Sequence, residues 1–388
     1  MRRASRLREA DDYLFSFIDR CRAEAEGKGN DVIPLGVGDC DLPAPPHIVT
    51  ALQRAADEPW AHRYPPYEGT PTLRQAASGY LARRFGVTAD PGTEVLVTLG
   101  SKEAMAHLAL ACVEPGDVVL VPDPAYPVYA TWARFCGAEV VTMPLREENG
   151  FLPDLAAIPP SVATRARLLW VCYPNNPTAA LATREFYAEL AAFALRYGIT
   201  VASDTAYSEI YYGCEPPPSF LEAPGARACG VEFHSLSKTY NMPGWRVGFA
   251  AGNTDVIAAL REVKTHTDSG TFAAVQHAAV AALTDTTGYP DHLRAVYAGR
   301  MRLLCDGLEA AGLDVLRPQA TFYCLVRTPA GLDSETFAKR LLTEAGVLGI
   351  PGTGFGPGGE GFLRLTVCAD DATIAEAVGR ITAVDWHG

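Results

Sequence analysis

The sequence has no Cys-x-x-Cys pair, no surplus of basic charge, and no apolar run approaching the ~18 residues that suggest a membrane span. Each absence removes a class of protein. The ten cysteines stand at positions 21, 40, 112, 136, 172, 214, 229, 305, 324 and 368, too scattered for the paired ligands of a structural zinc site. No metal is expected. Several lie in apolar runs such as Leu110-Ala-Cys112-Val113 and Val171-Cys172-Tyr173, where a thiol packs as a small hydrophobe. That usage fits a reduced, cytoplasmic protein. With 33 Lys+Arg against 45 Asp+Glu the net charge is −12, so a nucleic-acid partner is not expected. The basic start, Met1-Arg-Arg-Ala-Ser-Arg6, runs into Glu9, Asp11 and Asp12 without the apolar stretch of a signal peptide, and no membrane association is expected.

What is present is ample material for a core. The chain has 388 residues, 48% of them hydrophobic and 20% charged, which exceeds what one core usually fills. Between residues 94 and 252, short β-branched runs alternate with helix-period segments. Strands are expected over 94–100, 117–122, 139–143, 167–172 and 199–203, with two more near 233–235 and 246–250. Helices are expected over 101–113, 127–136 and 184–197. This alternation predicts an α/β protein with a mostly parallel sheet covered on both faces. After about residue 285 the texture changes to a long amphipathic helix over 292–312, a strand within 320–326, a helix over 334–345, a Gly-rich loop over 351–361, a strand over 362–367 and a last helix. Residues 46–284 therefore read as a large domain, and 1–45 with 285–388 as a smaller α+β domain.

Parallel sheets bind ligands beyond the carboxyl ends of their strands. Four polar clusters fall there: Gly100-Ser-Lys-Glu103, Tyr173-Pro-Asn-Asn-Pro-Thr178, Asp204-Thr-Ala-Tyr207 and Ser235-Leu-Ser-Lys238. Lys238, flanked by Ser235, Ser237 and Arg246, suits a phosphorylated aldehyde, with its amine forming a Schiff base and its neighbours holding phosphate. Taken alone, the Ser-Lys pair also reads as a solvated turn. Asp204 ends an apolar strand, where a carboxylate is costly without a partner. A protonated pyridine nitrogen is one such partner, and a helix cap is the plainer alternative. Tyr207 and Asn176 can hydrogen-bond a ring oxygen, and Asn176-Pro177 is a place where a cis peptide is cheap. Gly100-Ser-Lys102 opens a helix, which suits phosphate, although an ordinary Ser N-cap explains it as well.

With these residues in order, the chain resembles the fold-type I pyridoxal-phosphate enzymes of the class I/II aminotransferase group, closest to bacterial LL-diaminopimelate aminotransferases. The resemblance covers nearly the whole chain. It runs through His62-Arg-Tyr-Pro-Pro-Tyr-Glu-Gly69, Pro122-Asp-Pro-Ala-Tyr-Pro-Val-Tyr129, Glu148-Asn-Gly-Phe-Leu-Pro-Asp154, the Asn-Asn-Pro-Thr segment and Ser235-Leu-Ser-Lys-Thr-Tyr-Asn-Met-Pro-Gly-Trp-Arg246. It implies the PLP-dependent transferase fold type I, with pyridoxal 5'-phosphate on Lys238, which also moves the substrate α-proton. It further implies Asp204 on the pyridine nitrogen, Asn176 and Tyr207 on the ring oxygen, and Tyr126 on the ring face. Ser101, Lys102, Ser235, Ser237 and Arg246 would hold the cofactor, joined by Tyr64 from the other subunit of a homodimer. Arg364 would grip the substrate α-carboxylate, beside Asn176, with Gly36-Val-Gly-Asp39 and its Gly38 lying over the substrate. An amino acid and a 2-oxo acid are the implied substrates.

Four departures fall in the matched segments. The family's Gly-Asp-Pro-Asp becomes Gly38-Asp-Cys-Asp41, Asn-Asn-Pro-Thr-Gly ends in Ala179, an expected Asn is His266 in Lys264-Thr-His-Thr-Asp-Ser-Gly270, and Asp11-Asp-Tyr13 replaces Pro-Pro-Tyr. Cys40 reads as a small packing residue and His266 as a helix-surface histidine. Three of the changes lie near the substrate. Two reactions share the same carbanion: transamination of an amino-dicarboxylate such as LL-diaminopimelate or glutamate, and β/γ-elimination, replacement or cyclisation in specialised metabolism, for instance on S-adenosylmethionine. A non-catalytic regulator is disfavoured by the negative charge and the lack of a basic DNA-binding segment. Glycines beside Arg364 suit a mobile lid.

Overall fold

The computed structural model describes residues 4–8, 22–23, 27, 31–213 and 215–386. Asp11-Asp-Tyr13, Cys21, Cys214 and most of the first thirty residues lie outside that description. In chain order the strands are β1 (Ile33–Pro34), β2 (Val95–Thr98), β3 (Val118–Asp123), β4 (Glu139–Pro144), β5 (Ala166–Cys172), β6 (Thr200–Asp204), β7 (Gly230–Ser235) and β8 (Gly248–Gly252), then β9 (Val315–Leu316), β10 (Tyr323–Arg327), β11 (Val347–Leu348), β12 (Ile350–Pro351) and β13 (Phe362–Thr366). Seven of them form one sheet in the order β2-β8-β7-β6-β5-β3-β4. All run parallel except β8, which is antiparallel to both of its neighbours. The expected mostly parallel α/β sheet is what forms.

The inner strands of the sheet are buried on both faces, and β3 and β5 show the reason in runs that are apolar at consecutive positions and not only at alternate ones, whereas edge strand β4 stays largely open. Leu169 and Val171 of β5 enter one core with Val97, Leu120, Val201 and Phe249. Leu168 and Trp170 enter the other with Val119, Val121, Ala202 and Phe233. Helices start where side chains can accept their first N–H groups: Thr183 caps Arg184–Tyr197 through the Phe186 N–H at 3.1 Å, and Asn253 caps Thr254–Thr267 through Asp255 and Val256. Gly198, at φ +71°, ends the first of these.

A separate antiparallel sheet, β12-β13-β10-β9, lies with helices Tyr289–Ala310, Ser334–Glu344 and Asp371–Thr382. Its core takes Leu293, Tyr297, Phe322, Phe337 and Leu365 from the C-terminal part and Ile33 and Leu35 from the start of the chain. It also takes Ala206, Tyr207 and Ile210, which follow β6. That sharing brings the second core to the carboxyl end of the large sheet. No helix among the described residues is long and apolar enough to cross a membrane.

Two expectations change in detail. The strand expected over 320–326 starts only at Tyr323, because Thr321 sits at φ +64° and turns its N–H to the Ile210 carbonyl at 2.8 Å. The Gly-rich 351–361 segment, expected as a loop, is folded into two 3₁₀ turns with hydrogen bonds to the large sheet and to Ser334. Phe355 O accepts from Ala125 N at 2.8 Å, Gly358 N donates to Asp123 Oδ1 at 2.9 Å, and Glu360 accepts from Ser334.

Candidate active site

The site is assembled from contacts between the carboxyl ends of β2, β5, β6 and β7 and the second sheet. Ser235 ends β7 and accepts the Ser237 N–H at 3.2 Å, which starts the one-turn helix Leu236–Thr239 and presents Lys238. The Lys238 Nζ donates to the Gly38 carbonyl at 2.8 Å and stands 5.3 Å from the Phe322 ring centroid. Ser235 and Ser237 are buried and Lys238 half-buried, so the solvated-turn reading of this segment is corrected. Gly38 has no space for a side chain: a Cβ there would stand 2.2 Å from the Tyr323 hydroxyl. That hydroxyl shares a hydrogen bond with the Tyr207 hydroxyl at 3.1 Å.

Arg364 is 1% exposed in the middle of β13. Its guanidinium carbon lies 3.9 Å from the Tyr323 ring centroid and 4.4 Å from that of Phe355, while Nη1 donates to Asn176 Oδ1 and Nη2 to the Gly36 carbonyl, each at 2.7 Å. No carboxylate pairs with it among the described residues, and its buried Nε has no hydrogen-bond partner. A buried guanidinium with donors to spare is unsatisfied until an anion arrives. Asn176 is set by the turn after β5, where the Tyr173–Pro174 and Asn176–Pro177 peptides are cis and Asn175 accepts from the Thr178 N–H and hydroxyl.

Asp204, 4% exposed, forms no ion pair among the described residues. Burial pushes its carboxyl up to about 6, against the Tyr129 hydroxyl at 2.7 Å from Oδ2, the Ala206 N–H at 3.1 Å from Oδ1 and the charge of His234. Tyr129 is fixed by stacking on Trp170 at 4.7 Å, and Tyr126 packs edge-on against it at 5.8 Å. On the other flank, Gly100 rather than Ser101 caps helix Ser101–Cys112, at φ +79° and with no cap hydrogen bond from a side chain. A Cβ on Gly100 would stand 2.5 Å from Arg246 Nη2, which donates to the Leu99 carbonyl at 3.1 Å. The helix N-terminus and the guanidinium therefore lie side by side, with Ser101 and Lys102 on the helix's first turn.

Tyr64 stands apart: it is 89% exposed, and no described contact joins it to these residues. Tyr129, Tyr323 and Phe355 were not singled out in the sequence. Tyr129 ends the Pro122 to Tyr129 segment, three positions from Tyr126 on a helical spacing. Tyr323 and Phe355 carried no local signal, since each acts across the fold. His266 is exposed on its helix, as expected. One trio, Glu103, His107 and Asp268, gathers three possible metal ligands. The Lys264 ammonium already lies among them, 3.1 Å from Glu103 Oε1 and 2.8 Å from both Asp268 oxygens.

The departure at Ala179 has a backbone consequence. Ala179 is buried and held at φ +59°, in the left-handed region that glycine occupies without strain. Ala179→Gly is expected to stabilise the protein by about 1 kcal/mol. A urea midpoint that stays put or falls would show that the Ala179 methyl group contributes more than the backbone loses.

The donor set fits a phosphorylated pyridine aldehyde: an amine at Lys238, a buried acid lacking a cation at Asp204, and a helix N-terminus at Gly100 with the Arg246 guanidinium beside it. Comparison with known proteins agrees. Residues 30–381 match the family model described as aminotransferase class I and II. An LL-diaminopimelate aminotransferase from Syntrophobacter fumaroxidans is 50% identical over 99% of both chains. One from Aquifex aeolicus is 48% identical over 97% of this chain and 98% of its own. Substrate-bound BacF from Bacillus subtilis superposes with a TM-score of 0.96 at 37% identity, covering 100% of this chain and 98% of that one.

Proposed function

This chain belongs to the class I and II aminotransferases and is a pyridoxal-phosphate-dependent enzyme that exchanges an amino group between an amino acid and a 2-oxo acid; from that premise we propose that its donor is an amino-dicarboxylate, LL-diaminopimelate or glutamate. The observation that carries the α-carboxylate site is Arg364, a buried guanidinium with an unpartnered Nε, one Gly36-to-Gly38 span away from the Lys238 amine, and the dicarboxylate donor follows the relatives' names. A carboxylate placed on it leaves the adjoining α-carbon facing Lys238. The relatives named above are aminotransferases, which disfavours elimination or cyclisation from the same carbanion.

When bound, the cofactor supplies an aldehyde for the amino group and an electron-withdrawing ring. The chain's own residues do the rest. Lys238 would take the proton from the substrate α-carbon and return it to the carbon on the other side of the amino nitrogen, two bonds away. Asp204 keeps a proton on the ring nitrogen, and Tyr129 holds that carboxylate in place. Tyr207 and Asn176 donate to the ring oxygen, and Tyr126 covers the ring. Ser101, Lys102, Ser235 and Arg246 would hold the phosphate, with Ser237 beside the cofactor, and Gly38, lacking a side chain, lets the Tyr323 hydroxyl close over the substrate loop.

The same reading divides the chain into a large unit, 46–284, and a small one, 1–45 with 285–388, which the separate second core supports. It makes the protein a homodimer in which Tyr64 of the partner subunit reaches the phosphate. Tyr64 stands among other exposed aromatics, Trp60 (46%), Tyr67 (43%) and Phe272 (45%), a patch suited to a second copy. A cytoplasmic location accords with eight described free cysteines, two of which, Cys305 and Cys324, remain thiols with their sulfurs 3.8 Å apart.

The donor is tested by mixing the yellow protein with L-glutamate and with LL-diaminopimelate separately. The cofactor band at ~420 nm should bleach to one near ~330 nm with one equivalent of 2-oxo acid released. If neither converts the cofactor while S-adenosylmethionine loses methylthioadenosine, the donor assignment is wrong.

A further inference from the structure

The helix that opens beside Arg246 is held from within its own first turn. Gly100, at the N-cap, has no side-chain oxygen to accept the first N–H groups. Glu103, three residues on, reaches back instead and takes the Leu99 N–H on Oε2 at 3.3 Å, while Arg246 Nη2 donates to the Leu99 carbonyl at 3.1 Å. Leu99 is therefore fixed at both its N–H and its carbonyl, and the start of the helix with it.

What fixes Glu103 lies on another helix, Thr254–Thr267. Its Oε1 accepts from Lys264 Nζ at 3.1 Å, and the same Nζ donates to Asp268 Oδ1 and Oδ2 at 2.8 Å each. Three donors meet three acceptors, and the Lys264 side chain is 1% exposed. His107 adds a brace, with Nδ1 3.1 Å from Glu103 Oε1 and Nε2 2.9 Å from the Thr267 hydroxyl. In the Lys264-to-Gly270 segment the substituted residue, His266, is exposed, whereas Lys264 and Asp268 form the ion pair. Asp268 carries the network further: its Oδ1 also accepts the Gly270 N–H at 2.7 Å. Gly270, at φ +84°, lies so close to Pro65 that a Cβ there would stand 3.1 Å from the proline ring, and Pro65 follows Tyr64. Two carboxylates that share one buried cation are both left unpaired when it is removed.

We propose that Lys264 is a positioning residue for the cofactor phosphate, a tethered ammonium that locks the helix N-terminus and Arg246 into their phosphate-binding arrangement and, through Asp268, steadies the segment that carries Tyr64. The proposal rests on the phosphate reading of Ser101, Lys102 and Arg246 given above. Lys264 acts through Glu103 and Leu99, not by touching the cofactor. Two consequences separate it from a residue that only stabilises the fold. A ligand that bears a phosphate should feel its loss while one that lacks it should not, and the space left by the side chain should accept a free alkylammonium ion.

The apoprotein is titrated with pyridoxal 5'-phosphate and, separately, with pyridoxal. Lys264→Met removes the charge and keeps an unbranched apolar chain. It should weaken the phosphorylated ligand by about ten-fold or more, the scale of a partly buried charge at a helix terminus, and leave pyridoxal within about two-fold of the wild type. Lys264→Ala should lose the same preference and regain it with n-propylammonium, which supplies the missing carbons and charge, but not with n-propanol. Restoration by both additives or by neither would overturn the proposal, as would equal weakening of both ligands in Lys264→Met. Arg246→Ala, run alongside, tests the phosphate reading itself: if it leaves the phosphorylated ligand unaffected, that reading falls and the proposal with it. If Arg246→Ala weakens that ligand while Lys264→Met does not, the proposal alone is overturned. Should the Lys264 variants fail to fold, amide exchange in the wild type decides: pyridoxal 5'-phosphate should slow exchange over 264–270 more than pyridoxal does, and equal protection there would overturn it.

Discussion

Lys238→Ala should lower turnover by about 10⁴-fold or more, with the folded state intact by circular dichroism. The magnitude combines two losses: the amine that carries the cofactor and the group that moves the α-proton, the second alone accounting for about 10²–10⁴-fold. No neighbour can substitute. The Lys264 ammonium is spent on Glu103 and Asp268, and Arg246 and Arg364 are guanidinium groups, which do not give up their proton. Substrate affinity should change far less, because Arg364 and its aromatic walls do not depend on the Lys238 side chain. Turnover within ten-fold of the wild type would undo the whole site assignment.

Asp204→Asn should lower kcat by about 10²–10³-fold, the range seen when one preorganised charge-stabilising group is removed. The amide keeps the shape and can still meet the Tyr129 hydroxyl, so the change isolates the charge. In the folded chain burial holds the Asp204 carboxyl up at about 6, since only the Tyr129 hydroxyl, the Ala206 N–H and the charge of His234 act against it. A ring cation placed there restores the balance, and the amide cannot. Cofactor titration of the apoprotein should show weakened binding in step with the kinetic loss. Unchanged kcat with unchanged cofactor affinity would assign Asp204 a structural role only.

How far these residues could be read in advance depended on whether their signal is local. Lys238, Asp204, Asn176 and Ser101 each lie one to four residues past an apolar run, and strand ends in a parallel sheet are where ligands bind, so spacing alone drew attention to them. Arg364 had no such local context. Only its resemblance to a known strand marked it, and its burial between Tyr323 and Phe355 comes from two segments distant in the chain. Tyr129 was passed over for the same reason: its hydroxyl meets Asp204 across 75 positions. The glycines of 351–361 mark a loop, whereas the hydrogen bonds that hold its two turns come from Asp123 and Ala125, over two hundred residues earlier.

By itself the sequence determined the alternation of strand and helix, the sheet it implies, and the cofactor chemistry, because these rest on local periodicity and on short strings at strand ends. Tertiary structure alone decided which donors are left unsatisfied. Arg364 keeps a free Nε only because the fold supplies it with Asn176, Gly36 and two rings but no carboxylate. Satisfaction and proximity are properties of packed neighbours, and neighbours 188 or 328 positions apart in the chain leave no trace in its local pattern.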